Sequence, residues 1–427
     1  MRTRVLRLPM AAVAALSVTG IYAAITATPS LAASSSKSSS ASDTNGGLDT
    51  TFGTKGIAVV NTASPTSGNT FGAALLPNGD ILTLGGYGLA RFLPSGKLDT
   101  TFGSKGFSAP LPSGVGVQAM ALEPNGTIVG VGSAQGSAGS EFAIVRYKAN
   151  GSLDTSFGTG GLVTSQFPLS PQNSTTESAG SLVIQPNGDL VVGGSIQQIG
   201  YKDGVVEAAV LRLQPSGSLD KTFGSGGQLL TTESGTTEVT AIGLDSSGDI
   251  FLLPGDIELS PAGQVDATTT PEPLTTLSQG GDETFLSSGG FVEAEAVGVA
   301  KHEVDVEVQR FNAGGTLASS SPEFDFSGNQ DEAENSPGAV VVQPNGQAVV
   351  AGSRFADGAD LFGLARVNVN GTLDTTFGNG GTLTTSVAGG FGFQAVLLEP
   401  NGEIVGVGTG QAVDFGDIQI ILAKYIG

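Results

Sequence analysis

From Gln118 to Thr164 short apolar runs are separated by turn-forming residues. Ala119–Glu123 is mostly apolar and stops at Pro124-Asn125-Gly126. Proline presets φ near −65°, asparagine tolerates the left-handed region, and glycine enters it without a Cβ clash. Ile128–Val131 is apolar at successive positions, which predicts a strand buried on both faces. A loop over Ser133–Ser140 leads to a third run, Phe142–Tyr147. After Ala149-Asn150-Gly151 comes a fourth, Leu153–Thr164. The pattern predicts four antiparallel strands in a meander.

The unit repeats. The hexapeptide LDTTFG stands at Leu48–Gly53, Leu98–Gly103 and Leu373–Gly378, with single changes at Leu153–Gly158 and Leu219–Gly224. The first turn of each unit is marked by Gly79, Gly126, Gly188, Gly248, Gly289, Gly346 and Gly402. Five of these close a Pro-Asn-Gly; Ser246-Ser247-Gly248 and Ser287-Ser288-Gly289 are weakened copies. Seven copies of a four-stranded antiparallel sheet predict an all-β chain, a seven-bladed β-propeller. The last unit, Gln394–Leu398, Ile404–Val407 and Ile418–Tyr425, lacks its fourth strand, and an unattached copy lies at Leu48–Asn61. The N-terminal strand is therefore expected to close the ring, since an open array would leave a bare edge at each end.

A charge pattern accompanies the repeat. Arg91, Arg146, Arg212 and Arg366 are followed eight residues later by Asp99, Asp154, Asp220 and Asp374. Lys424 ends the last unit, and its expected partner is Asp49 in the N-terminal strand. Across a three-residue turn such residues face each other, and an exposed pair of this kind is worth about 0.2–1 kcal/mol. Two units depart: Glu258 meets Asp266, and Arg310 meets Ala318. Residues repeated from blade to blade cannot mark one site, so these pairs are read as structural.

The combination of LDTTFG, PNG, an apolar second strand and a third strand ending in Arg resembles the delta-60 repeat family of exported bacterial propellers. The resemblance spans residues 45–427 and is strong in five units. It implies a propeller with a layout like that of NHL-type propellers, no established activity, and no functional residues to carry over.

Composition bounds the rest. The 427 residues include 66 glycines, 39% hydrophobic residues and only 13% charged ones, with a net charge of −21. Arg2, Arg4 and Arg7, the apolar Met10–Leu16 and the small residues of Ser30-Leu31-Ala32 read as an export signal, residues 1–32. Uncleaved, the uncharged stretch Leu8–Ala33 would be long enough to anchor in a membrane, but Gly20, Pro29 and the hydroxyl residues speak for cleavage. Cleavage removes three arginines and no acid, taking the charge from −21 to −24. Residues 33–44 read as a serine-rich tether, and 45–427 as the propeller. A secreted or cell-surface monomer is expected. Its acidity disfavours nucleic acid, and the absence of cysteine rules out disulfides and thiolate metal sites.

Chemistry is sparse. The sole histidine is His302, and no nucleophile motif or phosphate-binding loop accompanies it. Glu293 and Glu295, with Glu303, Asp305 and Glu307 on the next strand, concentrate negative charge. They are read first as a solvated face and second as a calcium site; no other cofactor is indicated. Long connections, Gln166–Ser178, Ser195–Glu207, Thr268–Gly281, Asp325–Pro337, Ser353–Leu361 and Thr409–Asp417, gather at one end of the ring. That long-loop face is the expected binding surface for a protein or glycan. The chain is read as a non-catalytic binding scaffold. The alternative is an extracellular hydrolase or lyase using carboxylates at the channel mouth.

Overall fold

The computed structural model describes residues 21–23, 45–62, 70–136, 139–168, 175–198, 206–231, 238–253, 257–265, 274–280, 283–300, 303–313, 315–328, 333–356, 359–411 and 417–427. These residues are all-β; none is helical, so no described helix is long and apolar enough to cross a membrane. The second repeat forms Val115–Leu122, Ile128–Gln135, Ser140–Tyr147 and Leu162–Ser165, paired antiparallel in that order. The third repeat follows the same order from Thr175–Ile184 to Gln228–Thr231, and the sixth from Glu334–Val342 to Thr382–Thr385.

The strands outrun the apolar runs that announce them. Ile128–Gln135 is buried over its first five residues and alternates only at its end. There the ladder continues over Ser133 and Gln135, whose side chains are not apolar. The expected loop Ser353–Leu361 is for the same reason largely a hairpin, with strands reaching Ala356 and resuming at Ala359. The hexapeptide departs the other way, being mostly turn. Asp154 N–H donates to Arg146 C=O, then Phe157 N–H to Asp154 C=O and Gly161 N–H to Phe157 C=O, and the strand proper begins at Leu162.

The N-terminal segment joins the last sheet. Ile57–Asn61 pairs antiparallel with Ile418–Tyr425, and Leu48 bridges Tyr425. Gly46 N–H donates to Ile426 C=O, and Ile426 N–H to Gly47 C=O. Core clusters lie between consecutive repeats. Leu82, Leu84 and Leu89 pack on Met120 and Ile128, and Val129 and Ile144 on Leu182 and Leu211. Similar clusters join the third repeat to the fourth, the fifth to the sixth and the sixth to the seventh. Val405, Val407 and Ile420 of the last repeat pack on Ala73, Ile81 and Phe92 of the first.

The fourth and fifth repeats differ. Ile257–Leu259 is followed by a bridge from Leu259 to Val265. The next described strand, Leu274–Gly280, then pairs on the far edge of Ala241–Asp245, within what the sequence suggested was a loop. Residues 266–273, including Asp266, lie outside the described residues. In the fifth repeat the register slips by one, so Ser319 and not Ala318 stands opposite Arg310. Of the residues before Asn45, only Ile21–Ala23 is described, as a short strand antiparallel to Leu274–Gly280.

Candidate functional site

At the tight-turn end the hexapeptide builds a clamp. Asp154 Oδ1 accepts the N–H and O–H of Ser156, an Asx turn that fixes the carboxylate. Its Oδ2 accepts Arg146 Nε at 2.9 Å and Nη2 at 2.8 Å. The guanidinium lies 4.3 Å from the centroid of the Phe157 ring, and Arg146 Nη1 donates to Pro215 C=O of the next repeat at 2.6 Å. The same stack joins Arg91, Asp99 and Phe102; Arg212, Asp220 and Phe223; and Arg366, Asp374 and Phe377. These pairs are largely buried, with Arg146 at 9% and Asp154 at 8% exposure, where the sequence suggested exposed ones. Asp99, Asp154 and Asp220 sit below the ordinary carboxylate range, first because of the hydroxyl two residues on and then because of the arginine. Burial opposes that at Asp374, but Thr376, Gln347 and Arg366 together keep its pKa lowered.

The glycine ending each hexapeptide completes a staple to the neighbour. Gly53 N–H donates to Ser95 C=O, Gly103 to Asn150, Gly158 to Ser216, Gly224 to Ala262 and Gly378 to Asn45. In the last repeat lysine replaces arginine. Lys424 Nζ stands 2.5 Å from Glu403, 2.9 Å from Glu399 and 3.9 Å from Asp49, so the sequence's partner is the farthest of the three. A single ammonium has no fork to hold Asp49 in two places, and it settles among the nearer acids.

The acidic fifth unit is not assembled as one centre. Glu295 faces Glu307 across the ladder, and Glu293 lies between Glu283 and Gln309. Asp305 is buried at 4% exposure, while Glu295 is exposed. Glu307 accepts the Ser320 hydroxyl and the Gln309 amide. The side chain of Glu303, and His302, lie outside the described residues. Among the described residues no three His, Cys, Asp or Glu side chains are grouped so as to hold a metal ion.

At the long-loop end residues 169–174, 199–205, 281–282, 329–332, 357–358 and 412–416 lie outside the described residues. What is described there includes Phe355 and Phe391, 45% and 41% exposed. Phe355 stands directly opposite Asp360, so both side chains share one face. Burial pushes the Asp360 carboxyl above its ordinary value.

A second residue escaped the sequence reading. Glu177 lies two positions before the bulge in the first strand of its repeat, where the second repeat has Val115, the sixth Asn335 and the seventh Phe391. It is fully buried, and that burial pushes its carboxyl up to about 7. Superposing the repeats by their bulges, not by LDTTFG, would have singled out this glutamate among uncharged counterparts.

Residues 123–157, 185–223 and 343–377 match a family model described as Domain of unknown function (DUF5122) beta-propeller. No curated protein matches the chain. Among solved structures, the polysaccharide lyase Uly1 is similar at 13% identity and TM-score 0.38, over 83% of this chain and 89% of that one. A gluconolactonase from Xanthomonas campestris is similar at 12% identity and TM-score 0.35, over 86% and 89%. A glucose dehydrogenase is similar at 13% and 0.36, over 69% and 95%. Likenesses at this level carry no argument about activity. The three matched stretches fall in repeats that keep the clamp, and they support a β-propeller repeat family for this chain.

Proposed function

We propose that the chain is an exported seven-bladed β-propeller, closed by its N-terminal strand, that serves as a non-catalytic scaffold and binds a neutral glycan at its long-loop face. The head-to-tail staples and the core shared by the last and first repeats support the closed ring. The observation that carries the binding reading is the Phe355–Asp360 pair. An exposed aromatic face offers a surface for the C–H side of a sugar ring. A carboxylate beside it accepts hydroxyl hydrogen bonds, a small polar complement on an apolar floor. With a charge near −24 after signal removal, the surface repels anionic polysaccharides and favours uncharged ones.

Affinity electrophoresis of the mature chain through gels holding soluble neutral polysaccharides tests this. Retardation is expected, weakened about tenfold or more by Phe355→Ala and by Asp360→Asn, a loss of about 1.4 kcal/mol or more. Unretarded migration in every polysaccharide would overturn the glycan reading. Release of reducing ends or unsaturated sugars would overturn the non-catalytic one.

A further inference from the structure

Two repeats solve the same packing problem with different chemistry. In the sixth, Asn335 is 2% exposed; its Oδ1 accepts Phe326 N–H at 3.3 Å, and its Nδ2 donates to Val304 C=O at 2.8 Å and to Asp325 at 3.0 Å. In the third, Glu177 holds the same position. Its carboxyl accepts Phe167 N–H at 3.2 and 3.3 Å and Thr175 O–H at 3.2 Å. Both residues tie down the main chain of a buried phenylalanine arriving from the repeat before. The amide is permanently neutral; the carboxyl is neutral only when protonated.

Phe167 is also a wall. It meets Phe142 edge-on at 5.1 Å and, with Pro168, Gln228, Leu229 and Leu230, lines a cleft of about 420 Å³. We infer that Glu177 is a proton-operated latch on this wall: protonated, it holds Phe167 against the core, and ionised, it lets the Phe167 segment open to water.

The surroundings explain the direction. No basic side chain is paired with Glu177 among the described residues. On the segments packed against its strand, the charged groups are Glu141 on Ser140–Tyr147, Glu207 on Val206–Leu213, Glu238 beside Gly180 and Asp245 on Ala241–Asp245, with Arg146 and Arg212 committed to their own aspartates at the opposite end. Glu207 shares the cross-strand row of Glu177 and Ile196, so it adds like charge. Phe167 N–H and Thr175 O–H favour the ionised carboxyl, but at more than 3 Å they do not make up for its burial. Pro168, next to the latch and exposed, marks the side from which water enters. Burial puts the transition near 7, and the repulsion from Glu141 acts in the same sense.

The chain has no tryptophan, so Phe167→Trp would carry its sole indole. Its emission is expected to shift to the red between about pH 5 and about pH 9, with a midpoint near 7, and to stay fixed when Glu177→Gln is added. Constant emission without the second change, or an unaltered transition with it, would overturn the latch. Hydrogen exchange of the peptide holding Phe167 in the otherwise unmodified chain gives a second reading free of the tryptophan. Corrected for intrinsic rates, protection should fall about tenfold or more across the same range and remain level in Glu177→Gln. Equal protection at both ends of the range would overturn it too.

Discussion

The second and fifth repeats have the same meander and opposite means of joining a neighbour. In the second, Arg146 is stacked on Phe157, bound to Asp154 and bonded across to Pro215, while the Gly158 amide reaches Ser216. The fifth has lost Asp, Phe and Gly together. There Arg310 gives one hydrogen bond to Gly346 C=O, Ser319 donates to Val369 C=O, and Ser321 accepts Val308 N–H. Neutral hydroxyl and main-chain contacts stand where the ionic stack was, and the ion pair of this junction, Asp325 with Arg354, lies elsewhere, on Ala348–Ala356 of the sixth repeat. The contrast assigns the hexapeptide its job: it belongs in sequence to one repeat but acts between two. Its loss goes with an added strand on the far edge of the fourth repeat and a shifted register in the fifth.

The largest expected effect comes from removing the one staple supplied from the far end of the chain. Deleting residues 45–61 strips Phe52, Leu48 and Ile57 from the last sheet. At about 1.5–3 kcal/mol for each large apolar side chain, the loss should exceed about 5 kcal/mol in denaturant unfolding. An unchanged midpoint would mean that the last sheet does not depend on this strand. Next, Arg146→Met should cost about 3–5 kcal/mol, since it leaves Asp154 buried without its cation. Arg310→Met should cost only about 0.5–1.5 kcal/mol, one hydrogen bond. Equal losses would erase the distinction between the two kinds of junction.

Acid and alkali should separate the clamps from the latch. The clamp aspartates have lowered pKa values, so their contribution is present above the unfolded value near 3.8 and fades as pH falls through the folded one. Glu177 is raised, so its contribution is complete below the ordinary glutamate value of 4.5 and is lost as pH climbs to about 7. Thermal unfolding should therefore show greatest stability between about pH 4 and about pH 5, and Glu177→Gln should flatten only the upper limb. The smallest effect concerns the backbone. Lys105 has φ 55° at the place where the third and sixth repeats have Gly226 and Gly380, near 70°. Lys105→Gly should raise stability by up to about 1 kcal/mol in the same unfolding assay, by relieving left-handed strain. A fall would show that the lysine side chain offsets its conformation.

Much of this was legible because repetition amplifies weak signals. One Pro-Asn-Gly is only a turn; five of them in register mark a sheet family, and the spare copy at Leu48 shows what the last sheet lacks. The Arg–Asp spacing likewise named the partners of Arg91, Arg146, Arg212 and Arg366, though not those of Lys424 and Arg310. Their burial was hidden, because it depends on the Phe ring and on a carbonyl from another repeat. Strand lengths were underestimated since the ladder runs on over polar residues such as Ser133 and Gln135. Glu177 was invisible for a plainer reason: a single glutamate in Thr-Thr-Glu-Ser looks like surface, and only the bulge reveals that it points inward.

The bonds linking Gly46 and Gly47 with Ile426 bring the start of the first repeated strand and the C-terminal end of the chain within hydrogen-bonding reach. A gene can then be circularly permuted. A short Gly-Ser linker joining Gly427 to Asn45, with new termini opened between Gly136 and Gly139, would turn the closing junction into an ordinary covalent hairpin. Such a chain would give the last repeat its fourth strand in sequence, and the sheet completed last in synthesis would become that of the second repeat, divided between Ile128–Gln135 and Ser140–Tyr147.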